Sequence, residues 1–191
     1  MELATTPSQT VGPFFHFCLT SDECCVRSIA GPQVRGERVL LTVRVLDGNN
    51  EPVPDAMIEI WQANSEGKYN HPDDTQQKAV ETGFLGFGRM GTVENGACDF
   101  ETIKPGRVPG VGTVPQAPHL NIAVFGRGMM KQLYTRIYFA GDPANQEDAV
   151  LSLVPPGRRG TLMAHPDAAH PSGWHFELRL QGEGETVFFD V

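Results

Sequence analysis

The chain is poor in the features that mark several large classes. It has four cysteines in 191 residues, at positions 18, 24, 25 and 98, and no CxxC spacing, which excludes a zinc ribbon and argues against a disulfide scaffold. No apolar run approaches the roughly 18 residues a membrane-spanning helix needs. Lys and Arg number 15 against 23 Asp and Glu, a formal charge of −8, and no basic cluster could track a phosphate backbone, so nucleic acid is not an expected partner. The first ten residues, MELATTPSQT, hold neither a basic region nor an apolar one; no secretory leader is read there, and reduced thiols in the cytoplasm are expected. Internal repeats and low-complexity segments are also missing, as is any sustained 3.6-residue period.

What is present is period two. Val39, Leu41, Val43 and Val45 alternate and end at Asp47-Gly48-Asn49-Asn50, a strand and its turn. Residues 57–61, 97–103, 118–125, 132–139 and 174–180 carry the same signature, with 185–190 as a further edge piece. The stretch 64–91 is expected to be a long loop. Helix is limited to about two turns each over 146–153 and 158–164, kept apart by Pro155-Pro156. With 21 Gly and 15 Pro punctuating short strands, the fold class is all-β: a β-sandwich with long loops and one or two short helices. Residues 1–36, interrupted by Pro7, Gly12, Pro13, Gly31, Pro32 and Gly36, read as an extended arm, and 37–191 as the sandwich domain.

Among residues able to carry chemistry, His16, His71, His165 and His170 read as surface or hydrogen-bonded core histidines. His119 differs. In Pro118-His119-Leu120-Asn121-Ile122-Ala123, alternation sets His119 and Asn121 on one face and the apolar residues on the other. A His-x-His would offer two imidazoles to one metal; His-x-Asn offers one imidazole and a neutral amide, a weak donor for a hard trivalent ion. Tyr134, Arg136 and Tyr138 share a face of their strand, there either to line a cavity beside His119 or to cover the sheet. Trp61 and Trp174 are expected to fill the core, His175 and Arg179 to lie on a solvated or interface face, and Cys98 to be inert.

Several ordered motifs together, Thr6-Pro7-Ser8-Gln9-Thr10-Val11-Gly12-Pro13-Phe14-Phe15, Ile60-Trp61-Gln62-Ala63-Asn64 with Gly67-Lys68-Tyr69, Thr102-Ile103-Lys104-Pro105-Gly106, Ala117-Pro118-His119 and the terminal Gln181–Asp190 stretch, resemble the intradiol ring-cleavage dioxygenases from about residue 5 to 190. The resemblance is narrower to the alpha subunits of the family's heteromeric members. It implies a β-sandwich core, and in the family a non-haem ferric iron, Fe(3+), bound by two Tyr and two His. It also implies cleavage of a catechol ring between its hydroxyls by O2, with protocatechuate as substrate and 3-carboxy-cis,cis-muconate as product.

Carried onto this sequence, the four ligand positions are Tyr69, Val108, His119 and Asn121. One tyrosinate and one imidazole are therefore replaced, and these positions read as vestigial. The resemblance implies that the iron sits on a homologous beta subunit. This chain then helps to wall the beta subunit's substrate pocket through Thr10, Gly12, Pro13 and Arg127, with the 1–36 arm contacting the partner and Phe14, Phe15 and Phe17 as its apolar contacts. Read without the resemblance, Thr10, Gly12 and Pro13 could be a turn that orders the N-terminus, and Arg127 a surface salt bridge. Two alternatives stand beside this: a self-sufficient catechol dioxygenase that recruits Tyr134 or Tyr138 as substitute ligands, and a non-catalytic β-sandwich interaction module.

Overall fold

The structure, a computed structural model, describes residues 7–12, 14–110, 112 and 114–190. Its strands are β1 Arg38–Leu46, β2 Met57–Trp61, β3 Phe87–Gly91, β4 Ala97–Ile103, β5 His119–Phe125, β6 Leu133–Phe139, β7 Met163–Pro166 and β8 Gly173–Arg179. The helices are short: α1 Phe15–Leu19 and α2 Ala149–Leu153, with 3₁₀ turns at Pro143–Gln146 and Pro156–Leu162. The all-β expectation holds. No helix among the described residues is long and apolar enough to cross a membrane.

Two layers face each other. One has the order β3-β2-β5-β6, entirely antiparallel; in the other, β1 lies between β4, antiparallel, and β8, parallel. β7 joins them, pairing with β6 through Tyr138–Met163 and Phe139–Ala164 and with β8 through His165–His175. The ladder thus turns a corner and becomes one eight-stranded sheet.

The alternation seen in the sequence is what fills the interior. Val39, Leu41, Val43 and Val45 of β1 point inward with Phe100, Phe176 and Leu178, against Ile58, Ile60, Leu120, Ile122, Val124, Ile137 and Phe139 of the facing layer. Each such side chain contributes about 1.5–3 kcal/mol by leaving water. Because Leu120, Ile122 and Val124 take the core face of β5, His119 and Asn121 must take the other.

The structure corrects several expectations. β3 lies inside the stretch expected to be loop: Phe-Gly-Arg-Met-Gly has no apolar alternation, and the strand is set by its pairing with β2. Gly88 permits it, since a Cβ there would come within 2.7 Å of Ile29 Cδ1. β7 and the 3₁₀ turn before it replace the second expected helix, where Gly157 and Gly160 weaken helical propensity. The 185–190 piece makes a single bridge, Phe189 to Tyr134, rather than a strand. In the arm, α1 interrupts the expected extended course, and from Val26 the chain bridges to Arg89, Glu101 and Phe84. Ile29, Ala30 and Val34 are buried, so the arm's second half packs into the core. Trp61 and Trp174 are only partly buried: Trp174 meets Phe139 edge-on, while Trp61 walls a cavity.

Candidate functional site

The turn after β2 is built to deliver Tyr69. Gln62 fixes its start, donating to the Ile103 carbonyl at 2.9 Å and accepting from the Thr102 hydroxyl at 2.7 Å. The Asn64 side-chain oxygen accepts the Glu66 and Lys68 N–H groups, and the Asn64 carbonyl accepts the Gly106 N–H at 2.8 Å. Gly67 has φ +77°, and a Cβ there would lie 1.9 Å from the Arg107 carbonyl oxygen. Only glycine lets the two segments touch so closely, and that contact brings Tyr69 beside Val108. Asp74 completes the turn. Although burial would raise its pKa, the N–H groups of Tyr69 and Gln76 and the Lys68 ammonium hold it at about 2.

A cavity of about 430 Å³ opens here, walled by Trp61, Tyr69, Val108, Gln116, His119 and Arg136 among others. The Trp61 and Tyr69 rings stack at 6.0 Å and 6°. His119 is 3% exposed, and its Nδ1 lies 2.7 Å from the Ala117 carbonyl oxygen, so Nδ1 carries the proton and Nε2 the lone pair. Burial, aided by the charge of Arg136, lowers its pKa to about 4. The Asn121 amide donates to the Tyr69 hydroxyl at 3.3 Å. Burial raises the Tyr69 pKa, partly offset by that bond and by Arg136. The four expected ligand positions are therefore gathered in one place.

Beneath them lies a second network. Asp148, fully buried, accepts the Ala117 N–H at 2.7 Å, the Leu151 N–H at 2.7 Å and the Tyr138 hydroxyl at 3.1 Å. It caps α2 and fixes the strand entering His119 together. Burial pushes the Tyr138 pKa to about 12. Tyr134 is elsewhere, its hydroxyl bonded to Gln132 at 2.9 Å. Neither tyrosine presents a free oxygen toward His119, which removes the substitutes that a self-sufficient iron site would need.

The donor set does not fit ferric iron. Val108 is a buried alkyl group, Asn121 offers its amide N–H rather than an anion, and ionisation of Tyr69 is disfavoured by burial. Arg136 adds a positive charge to the same cavity. Hard trivalent cations require anionic oxygen.

The second expected group assembles at the opposite end of β5. Seven residues of strand separate the two ends by about 20 Å. There Thr10 Oγ1 accepts the Gly128 N–H at 2.9 Å, tying the N-terminal arm to the Gly126-Arg127-Gly128 turn. Arg127 is paired through Nε with Asp55, and its side chain remains 60% exposed. Gly12 has open space where a Cβ would stand, and its carbonyl accepts the Phe15 N–H at 3.1 Å. Pro13 lies outside the described residues.

Arg136, read with Tyr134 and Tyr138 either as lining the vestigial cavity or as covering the sheet, does line it, and the β5–β6 register, Asn121 opposite Arg136, is what carries it there. Gln116 and Asp148 also escaped the sequence reading. Asp148 had a legible signal, an Asp directly before an apolar helical run; Gln116 had none.

A family model described as Dioxygenase matches residues 10–182. The chain is 41% identical over 201 residues to the protocatechuate 3,4-dioxygenase alpha chain of Burkholderia cepacia, covering 99% of this chain and 98% of that one. It is 32% identical to the protocatechuate 3,4-dioxygenase beta chain of the same organism, over 94% of this chain and 77% of that one. Among solved structures, the dioxygenase domain of a dioxygenase–carbohydrate-binding protein fusion from Streptomyces sp. SirexAA-E superposes with a TM-score of 0.61 at 25% identity, over 94% and 99% of the two chains.

Proposed function

This chain belongs to the intradiol ring-cleavage dioxygenase family, and we propose that it is the alpha subunit of a two-chain enzyme that cleaves protocatechuate with O2. A homologous beta chain holds the ferric iron. The observation that carries the reading is the replacement of two ligand positions by Val108 and Asn121, inside a sandwich that otherwise retains the family's fold. Similarity over nearly the full length of both chains to an alpha chain exceeds that to a beta chain, 41% against 32%.

The contribution of this chain is to the partner's substrate pocket. The Thr10–Gly128 bond supports it, because it fixes the arm against the turn carrying Arg127. Arg127 engages Asp55 through Nε, yet its side chain stays 60% exposed, which leaves guanidinium surface to meet the substrate carboxylate. Gly12 presents backbone without a side chain in the way. Phe14, just before α1 and 71% exposed, and Phe17, on α1 and 64% exposed, offer apolar area to the partner. The four cysteines are free thiols, which supports a cytoplasmic setting.

The test is the partition of iron. The chain is purified alone and again after co-expression with a companion that carries two Tyr and two His at the matching positions; bound iron and the visible spectrum are recorded. The expected result is a colourless chain alone and a coloured, active complex, since ferric tyrosinate absorbs in the visible. Stoichiometric iron and colour in the chain alone would overturn the reading.

A further inference from the structure

The cavity that cannot hold a ferric cation has the makings of an anion site. Arg136 reaches into it from β6, opposite Asn121. Its Nη1 donates to Gln116 Oε1 at 2.7 Å and to the Tyr138 hydroxyl at 3.4 Å. Both acceptors are neutral. No carboxylate lies within ion-pair distance of the guanidinium among the described residues. The Nε and Nη2 hydrogens, the edge that forks onto a carboxylate, have no partner among those residues. Two acidic residues also line the cavity: Asp74 is already spent on Lys68 and on the N–H groups of Tyr69 and Gln76, and Asp73 is an exposed carboxylate beside His71. The one buried carboxylate that Arg136 faces, Asp148, is reached only through the Tyr138 hydroxyl that the two share, so the Nε–Nη2 edge of the half-buried guanidinium is left to the cavity, where an anion would complete it.

The rest of the cavity says which anion. The stacked Trp61–Tyr69 pair lends aromatic surface to the cavity lining, and Val108 is a further apolar surface. A planar aromatic body fits against such a surface. His119 Nε2 holds a lone pair, because Nδ1 donates to Ala117, so the cavity also contains one acceptor for a ligand hydroxyl.

We propose that the vestigial metal cavity of this chain binds a small aromatic carboxylate of the benzoate type, its carboxylate forked onto Arg136 and its ring against the Trp61–Tyr69 surface. The site lies at the end of β5 remote from Thr10 and Arg127. It is therefore separate from the partner-pocket role, and either can fail without the other.

The chain purified alone is titrated with benzoate, so that no partner site contributes, and indole fluorescence and isothermal calorimetry are followed. Saturable binding of benzoate is expected, with benzamide, the neutral isostere, binding at least tenfold more weakly. Arg136→Gln should weaken benzoate at least tenfold, Arg136→Lys less, since an ammonium keeps the charge without the fork. Should Arg136→Gln fail to fold, the unmodified chain still decides: benzoate must shift the arginine Nε–H resonance that is absent from the Arg136→Lys spectrum. Equal affinity for benzamide, an unshifted resonance, an unweakened Arg136→Gln chain or no saturation up to about 10 mM would each overturn the proposal.

Discussion

The Asn121 amide donates to the Tyr69 hydroxyl at 3.3 Å and to the Trp61 carbonyl at 3.4 Å. A residue standing in one expected metal-ligand position thus caps the residue standing in another. In a metal centre both atoms would point at a shared ion. Here they satisfy each other, and the register of β5 on β6 puts a guanidinium beside them. The cavity holds a positive charge where two tyrosinates would bring negative ones.

Ligand restoration should therefore need three changes. With Val108→Tyr and Asn121→His alone, the Arg136 charge remains in the cavity. At about 6 Å and an effective dielectric near 20, it opposes each unit of metal charge by about 3 kcal/mol. Sub-stoichiometric iron and no visible band are expected for the double variant. Adding Arg136→Gln should raise both, read as iron per chain and as tyrosinate absorbance. Full loading of the double variant would show that Arg136 is no obstacle.

Arg127→Ala, in the reconstituted two-chain complex, should raise KM for protocatechuate about tenfold, equivalent to about 1.4 kcal/mol, with iron content and kcat nearly unchanged. Catechol, which lacks the carboxylate, should show a much smaller change. An identical KM shift for both substrates would point to loss of the Arg127–Asp55 pair rather than of a substrate contact.

His119 makes stability depend on pH in a defined window. Its folded pKa, about 4, lies below the ordinary histidine value near 6.5, so the unfolded chain binds the extra proton between those limits. The stability that neutral burial contributes is complete above about pH 6.5 and is lost as pH falls toward 4. The loss is about 3 kcal/mol at the lower limit. Asp74, at about 2, acts only below this window. Urea unfolding at pH 7 and pH 4.5 should show the decline, and His119→Asn should flatten the slope whatever its effect on absolute stability. A slope unchanged in His119→Asn would assign the decline to other groups.

Much of the fold was legible because local alternation and the core agree: β1, β2, β4, β5, β6 and β8 all lie where period two put them. β3 and β7 were not legible, since glycine-rich Phe87–Gly91 and four-residue Met163–Pro166 carry no apolar period and exist through pairing with neighbours. Trp61 misled in the same way: a large aromatic at a strand end reads as core, yet the strand ends at the cavity and the indole stacks on Tyr69.

By itself the sequence determined the family, the all-β class and the donor types at Tyr69, Val108, His119 and Asn121, because residue identity alone decides which atoms can meet a metal. It could not decide that Arg136 faces Asn121, that Asp148 holds both the strand entering His119 and the start of α2, or that Thr10 binds the Arg127 turn from 118 residues away. Those relationships come from strand register and long-range hydrogen bonds. They exist only once the chain has closed on itself, because only then are residues distant in sequence held within bonding distance.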